Sequence, residues 1–188
     1  MISDNFMWLP GQSDIVGETQ DEMFSQRDAF EVLNFSFNMN CTESTDGPKG
    51  VGANAGKAKF ANITIEKWID SASPALYKAC SQGAIFPNVM LGCRHAGGDP
   101  LLYLQFIFRY NQVTGITWGG GGGSERVKET LTLTFKAMGM QYIQQKPSGQ
   151  PMPGKSWLWN TADQGTASLE IKGLPPPPRF LPGSDFRK

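Results

Sequence analysis

Hydrophobic and polar residues alternate along most of this chain. Leu33, Phe35, Phe37 and Met39 are interleaved with Asn34, Ser36, Asn38 and Asn40, the period-two signature of a strand with one apolar and one polar face. The same rhythm returns in Leu102, Leu104, Phe106, Phe108 and Tyr110, resumes beyond a break near Asn111 over residues 113–118, and recurs where Leu131, Leu133 and Phe135 alternate with Thr130, Thr132 and Thr134. Phe60, Ile63, Ile65 and Trp68 make a further β-rich run. Val89, Leu91 and Cys93 alternate with Met90, Gly92 and Arg94 and predict a half-buried strand, while Met138, Met140 and Tyr142, then Trp157 and Trp159, predict two more. Eight or so strands of this kind imply a mainly β fold, an antiparallel β-barrel or sandwich of two sheets.

One segment changes period. Ser73 and Pro74 read as a helix entrance, with the serine oxygen capping early amides and proline where no donor is needed. Leu76, Ala79 and Cys80 then form an apolar stripe, and Gly83 offers a left-handed stop, which predicts a helix over residues 74–82. Asp70, just upstream, reads as a turn and helix-start residue. The connections are equally marked. Residues 41–57 carry Asp46-Gly47-Pro48, Gly50, Gly52 and Gly56 and predict a long projecting loop. Gly97-Gly98-Asp99-Pro100 is a tight connection, and the glycine run 119–123 is a hairpin tip.

Length and charge narrow the function classes. At 188 residues the chain suits one well-buried core with appendages, expected as a barrel over residues 1–160 and an extension over 161–188. Its 17 basic and 17 acidic residues cancel without a basic block, so nothing supplies the phosphate-neutralising surface that a nucleic-acid partner requires. No run of 18 apolar residues predicts a membrane span, and the opening MISDNFMWLPGQSD lacks the basic start and apolar core of a signal peptide. Three cysteines, Cys41, Cys80 and Cys93, cannot all pair internally and are expected as reduced thiols, two of them buried.

The candidate chemistry is thin. His95 would share a strand face with Cys93, but it is the only histidine, and a zinc site would need cysteines from distant segments. It reads as a strand-end histidine beside a turn. The glycine run lacks the Lys-Ser/Thr pair and following helix of a phosphate cradle. No G-x-S-x-G elbow or positioned base supports nucleophilic catalysis. The expectation is a non-enzyme with no catalytic, cofactor or metal site.

The stretch from residue 60 to residue 98 resembles the Hcp family, the haemolysin-coregulated tube proteins of bacterial type VI secretion systems, which read roughly F-x-K-x-I-D-x-x-S-P-x-L-x-x-A-C-x-x-G there. Glu66, Lys67, Trp68, Ile69, Asp70, Ser73, Pro74, Leu76, Ala79, Cys80 and Gly83 fill that frame. Arg94, Ala96, Gly97 and Gly98 follow the family's R-x-A-G-G, Tyr103 and Leu104 open its long strand, ETLTLTF from Glu129 follows its E-x-V-x-L-N-F, and Trp157 stands in the closing strand. The resemblance spans about residues 32–160. Upstream it is loose, carried by Phe6, Met7 and Gly17-Glu18-Thr19, and the histidine common before the next strand is missing. Beyond residue 160 the chain adds a tail with four prolines at 175–178, followed by Phe180, Leu181 and Phe186.

The resemblance implies a structural subunit of homo-hexameric rings. These would stack into the inner tube of a contractile injection machine, hold and protect effectors in the lumen, contact sheath and spike components, and leave the bacterial cytoplasm through the machine rather than by a signal peptide. It assigns ring stacking to the 41–57 loop, with Asp46, Lys49 and Lys57 as its charged residues. The proline-rich tail predicts an extended path, with Phe180, Leu181 and Phe186 docking on a neighbouring subunit or tube component. Two rivals stand beside this reading. One is a soluble β-sandwich module binding a ligand or peptide, and the other is a fused hydrolase, for which the tail is too short.

Overall fold

The alternating segments pair into one curved sheet whose apolar face is turned inward. In the computed structural model, which describes residues 3–41, 58–95, 101–120, 126–161 and 179–182, β1 (Ser3–Trp8) pairs antiparallel with β7 (Ile85–His95). Beyond β7 follow β8 (Leu102–Gly119), β9 (Lys128–Thr134), β6 (Ile63–Trp68) and β3 (Asn34–Ser36). The two edges are joined by one short piece of chain. β2 (Phe30–Glu31) lies on β1, the Val32 amide donates to Asn5 O, and the next amide, Leu33, donates to Glu66 O of β6, both at 2.8 Å. That crossing closes the barrel and removes the open edges that would otherwise invite pairing.

Inside lie Met7, Ile63, Ile65, Val89, Leu91, Phe106, Phe108, Leu131 and Leu133, plugged at one end by α2 (Ser73–Gln82) through Leu76 and Ala79. The helix ends as predicted at Gly83, whose φ of 64° is left-handed and whose amide reaches Ala79 O and Cys80 O. Its start differs. The N-cap position is Ala72 with no side-chain cap bond. Asp70 supplies the first turn instead, accepting the Ala72 amide on Oδ1 at 3.0 Å and the Ser73 amide on its carbonyl at 3.1 Å. Ser73 is the first helical residue, and its hydroxyl turns into the barrel.

Three more expectations change. β7 is not half-buried: Met90 is buried on the outer face while Val89 and Leu91 fill the barrel, because a second apolar cluster (Phe6, Trp8, Phe24, Met90, Ile107, Ala137) covers the outside of β1, β7 and β8. Part of that cover is a short helix, α1 (Glu22–Ser25), capped by Asp21. The alternation from Leu33 to Met39 is not one strand. It splits after β3, and β4 (Met39–Cys41) leaves to pair with β5 (Ala58–Phe60) in a separate two-stranded ribbon, so only Phe35 and Phe37 pack on the core while Leu33 and Met39 are exposed. β8 does not break near Asn111. It bends there through Tyr110 at φ 56°, sending its first half against β10 (Ala137–Tyr142) and its second against β9. β11 (Lys155–Asn160), with the predicted Trp157 and Trp159, pairs outside β10.

Gly17 sits where the backbone leaves no room for a side chain. A Cβ there would sit 2.2 Å from Ala29 O, and the Gly17 amide donates to Asp28 O at 2.9 Å. The obstacle is backbone on both sides, so Gly17→Ala is expected to cost at least about 1–3 kcal/mol, read as a lower urea midpoint with an unchanged slope.

Candidate functional site

The densest polar arrangement inside the barrel joins the helix entrance to β6 and β9. Alternation puts Ile63, Ile65 and Lys67 on the inward face of β6 and Glu129, Leu131 and Leu133 on that of β9, and the register sets Lys67 directly opposite Glu129. Both side chains are fully buried. The Lys67 ammonium lies 2.7 Å from Asp70 Oδ1, 2.9 Å from Trp68 O, 3.0 Å from Ser73 Oγ and 3.3 Å from Glu129 Oε1, and 5.1 Å from the centroid of the Phe30 ring. The Ser73 hydroxyl donates to Glu129 Oε1 at 3.1 Å, and Trp118 Nε1 donates to Glu129 Oε2 at 2.7 Å.

An ammonium has three protons to give, and here four acceptors surround it. Glu129 holds an ion pair on one oxygen and an indole N–H on the other. The group acts as a clamp binding α2, β6, β8 and β9 together. Beside it, Tyr77 and Trp118 expose about half of their area and stand 5.4 Å apart, with Ile69, Ile85 and Val127 also exposed.

A second clamp surrounds Arg94 of β7. Its guanidinium contacts Asp4 of β1 at 3.2 Å and Asp21 at 2.5 Å, and lies 5.1 Å from the Phe6 ring centroid. Asp21 thus caps α1 with one oxygen and binds Arg94 with the other. A cleft of about 430 Å³ opens beside them, with Glu31 on its wall.

The other predicted positions fall as follows. Ile69 is exposed, as is Pro74, the second residue of α2, and Leu76 is in the core. Asp46, Lys49, Lys57 and Phe186 lie outside the described residues. Phe180 and Leu181 pack on the chain's own outer cluster, whereas the sequence reading sent them to a neighbour. Their receptor, Gln105 of β8, was not singled out. His95 stacks on Tyr103 at 4.1 Å, and among the described residues no three His, Cys, Asp or Glu side chains converge as a metal set.

Of the three free cysteines, Cys93 is buried, Cys80 half-buried and Cys41 exposed. Burial pushes the Cys93 thiol up to about 12, so it stays protonated at neutral pH. Iodoacetamide at pH 8 is expected to label Cys41 and to leave Cys93 unmodified until denaturant is added, as peptide mass mapping would show, since the thiolate is the reactive form.

Sequence comparison follows the same residues. The profile of the family described as "Type VI secretion system effector, Hcp" matches residues 6–142, from β1 to the end of β10. The chain belongs to the Hcp family. It is 33% identical over 106 residues to Protein hcp1 of Pseudomonas aeruginosa, a match covering 55% of this chain and 65% of that protein's length. Among solved structures, "Structure of a type six secretion system protein" superposes with a TM-score of 0.78 at 25% identity, covering 88% of this chain and all of that one. Hcp1 from Salmonella typhimurium superposes with a TM-score of 0.69 at 27% identity, covering 89% and 100%. The clamp links two of the Hcp-like motifs, since Lys67, Asp70 and Ser73 come from one and Glu129 from the other. No helix among the described residues is long and apolar enough to cross a membrane.

Proposed function

We propose that this chain is a structural inner-tube subunit of a type VI secretion machine, assembling as hexameric rings that stack, carry effectors in the lumen and leave the cell with them. Membership of the Hcp family, over residues 6–142, is the observation that carries this reading. The clamp agrees with a structural role, because the buried charges of Lys67, Asp70 and Glu129 are spent on each other. Native mass spectrometry and negative-stain microscopy are expected to give a six-fold ring; a monomer at high protein concentration would sink the reading.

Ring stacking is assigned to residues 41–57, with Asp46, Lys49 and Lys57 as contact residues. This stretch is carried on the β4–β5 ribbon, which pairs with no strand of the barrel sheet. Replacing it by a four-residue turn is expected to leave rings intact and abolish tubes by electron microscopy. Unchanged tube length removes the assignment. Sheath and spike components are the expected contacts of the finished tube.

A further inference from the structure

Residues 179–182 return to the outer face of the barrel. There the Leu181 amide donates to Gln105 Oε1 at 2.9 Å, and the Leu181 carbonyl accepts from Gln105 Nε2 at 2.7 Å. Gln105 is fully buried, and its neighbour across the β8–β10 pairing, Gln141, takes the same Nε2 group at 3.3 Å. One carboxamide therefore reads both main-chain groups of a single residue, as the next strand of a sheet would. Phe180 and Leu181 add selectivity by packing against the outer cluster around Phe24 and Ile107.

A buried carboxamide without partners is costly. When residues 179–182 leave, Gln105 keeps the Gln141 contact and water takes the remaining positions, so the groove offers a returning segment a matched donor and acceptor beside an apolar surface that suits an aromatic and a leucine side by side. The hold is also small: one residue supplies both main-chain bonds, and Phe180 and Leu181 remain partly exposed. The chain between Thr161 and Arg179 spans at full extension roughly 60 Å, more than the width of roughly 40 Å expected of a domain this size. It is therefore long enough to reach a groove on an adjacent copy as well as its own.

We propose that the groove around Gln105 is an exchange site for the Phe180-Leu181-Pro182 segment, filled by the chain's own segment when free and by that of a second copy in the assembled state. The identical segment fits by construction, and in a ring it is present at an effective concentration comparable with the intramolecular one. The exchange rests on the self-assembly reading, while the groove's affinity for the peptide does not.

Two full-length variants separate donor from acceptor. Phe180→Asp with Leu181→Asp empties the groove without altering it, and Gln105→Leu disables the groove while keeping the segment. A fluorescein-labelled peptide, PPRFLPGS, should bind the first variant and bind wild type at least tenfold more weakly. The same peptide with Leu181→Pro, which removes the donated N–H, should lose at least tenfold. No binding of PPRFLPGS to the emptied groove overturns the site, and equal binding of the proline peptide overturns the role of Gln105. For exchange, isotopically heavy acceptor is mixed with light Gln105→Leu donor carrying a photo-crosslinker at position 180, and the assembled fraction is irradiated. Light-to-heavy crosslinks are expected. Light-to-light crosslinks alone overturn the exchange. Wild type that sediments only as a monomer overturns both the ring reading and the exchange, and the peptide titration then decides the groove by itself.

Discussion

Replacing Lys67 by methionine is expected to destabilise the protein by about 3–5 kcal/mol, because it leaves Glu129 and Asp70 buried without their cation. Both partners stay out of water, with side chains 0% and 8% exposed, so neither regains the hydration it gave up on folding. The value is several times that of an exposed pair such as Lys128 with Glu66, 3.5 Å apart and partly solvated, for which about 0–1 kcal/mol is the usual range. The double variant Lys67→Met with Glu129→Leu should recover part of the loss, since two apolar side chains replace the pair. It will not recover everything, because Trp118 Nε1 and Ser73 Oγ then lose an acceptor. Urea denaturation of wild type, both single variants and the double variant measures this. Strict additivity, or a Lys67→Met loss below about 1 kcal/mol, would mean that Lys67 and Glu129 are not coupled and that the clamp is incidental.

Much of this clamp was legible in the chain. A lysine two residues after Ile65 and a glutamate two residues before Leu131 occupy inward positions of two alternating strands, and charges on such a face must find each other or a solvent gap. What alternation does not reveal is register. Strict period two says which face a residue takes, not which partner it meets, and only the β6–β9 pairing sets Lys67 opposite Glu129. Ser73 misled for a related reason. A serine before proline is the local signal of an N-cap, but here tertiary acceptors and donors from β6 and β9 outcompete the helix for its hydroxyl, and Asp70 satisfies the first turn.

The half-buried reading of β7 failed because periodicity reports the core face and is silent on what covers the other. Met90 is sealed by Phe6, Trp8 and Phe24 from β1 and α1, and a four-residue helix leaves too little pattern to detect. The split between β3 and β4 follows from closure: the chain is tied to β6 through Phe35 and must then leave the barrel to form the ribbon. Gln105 was hidden as well, since a lone glutamine on the outer face of a strand reads as solvated until the tail that covers it is placed.

Phe108→Ala is the second large effect expected, about 3–5 kcal/mol of lost stability with the cavity left behind. Phe108 is fully buried at the point where β8 is flanked by Val89 of β7 and Met138 of β10. Its ring stands 5.2 Å from Phe135, 5.8 Å from Phe37 and 5.9 Å from Phe106. Those neighbours give the loss a direction. Phe37 stands two residues before the first residue of β4 and rests edge-on against Phe106 and Phe108, so it anchors one arm of the ribbon that carries residues 42–57. The other arm is held by Phe60 of β5, whose ring meets Phe135 at 5.9 Å and Trp157 and Trp159 at 6.4 Å. Phe108→Ala withdraws support from the first arm directly and from the second only through Phe135. Hydrogen exchange should therefore quicken at β4 and β5 more than the global loss of stability accounts for, whereas Phe108→Leu should cost less and leave the ribbon protected. If ribbon amides in Phe108→Ala slow or quicken only in step with the barrel strands, Phe37 is not the anchor and the ribbon is held through Phe60 alone.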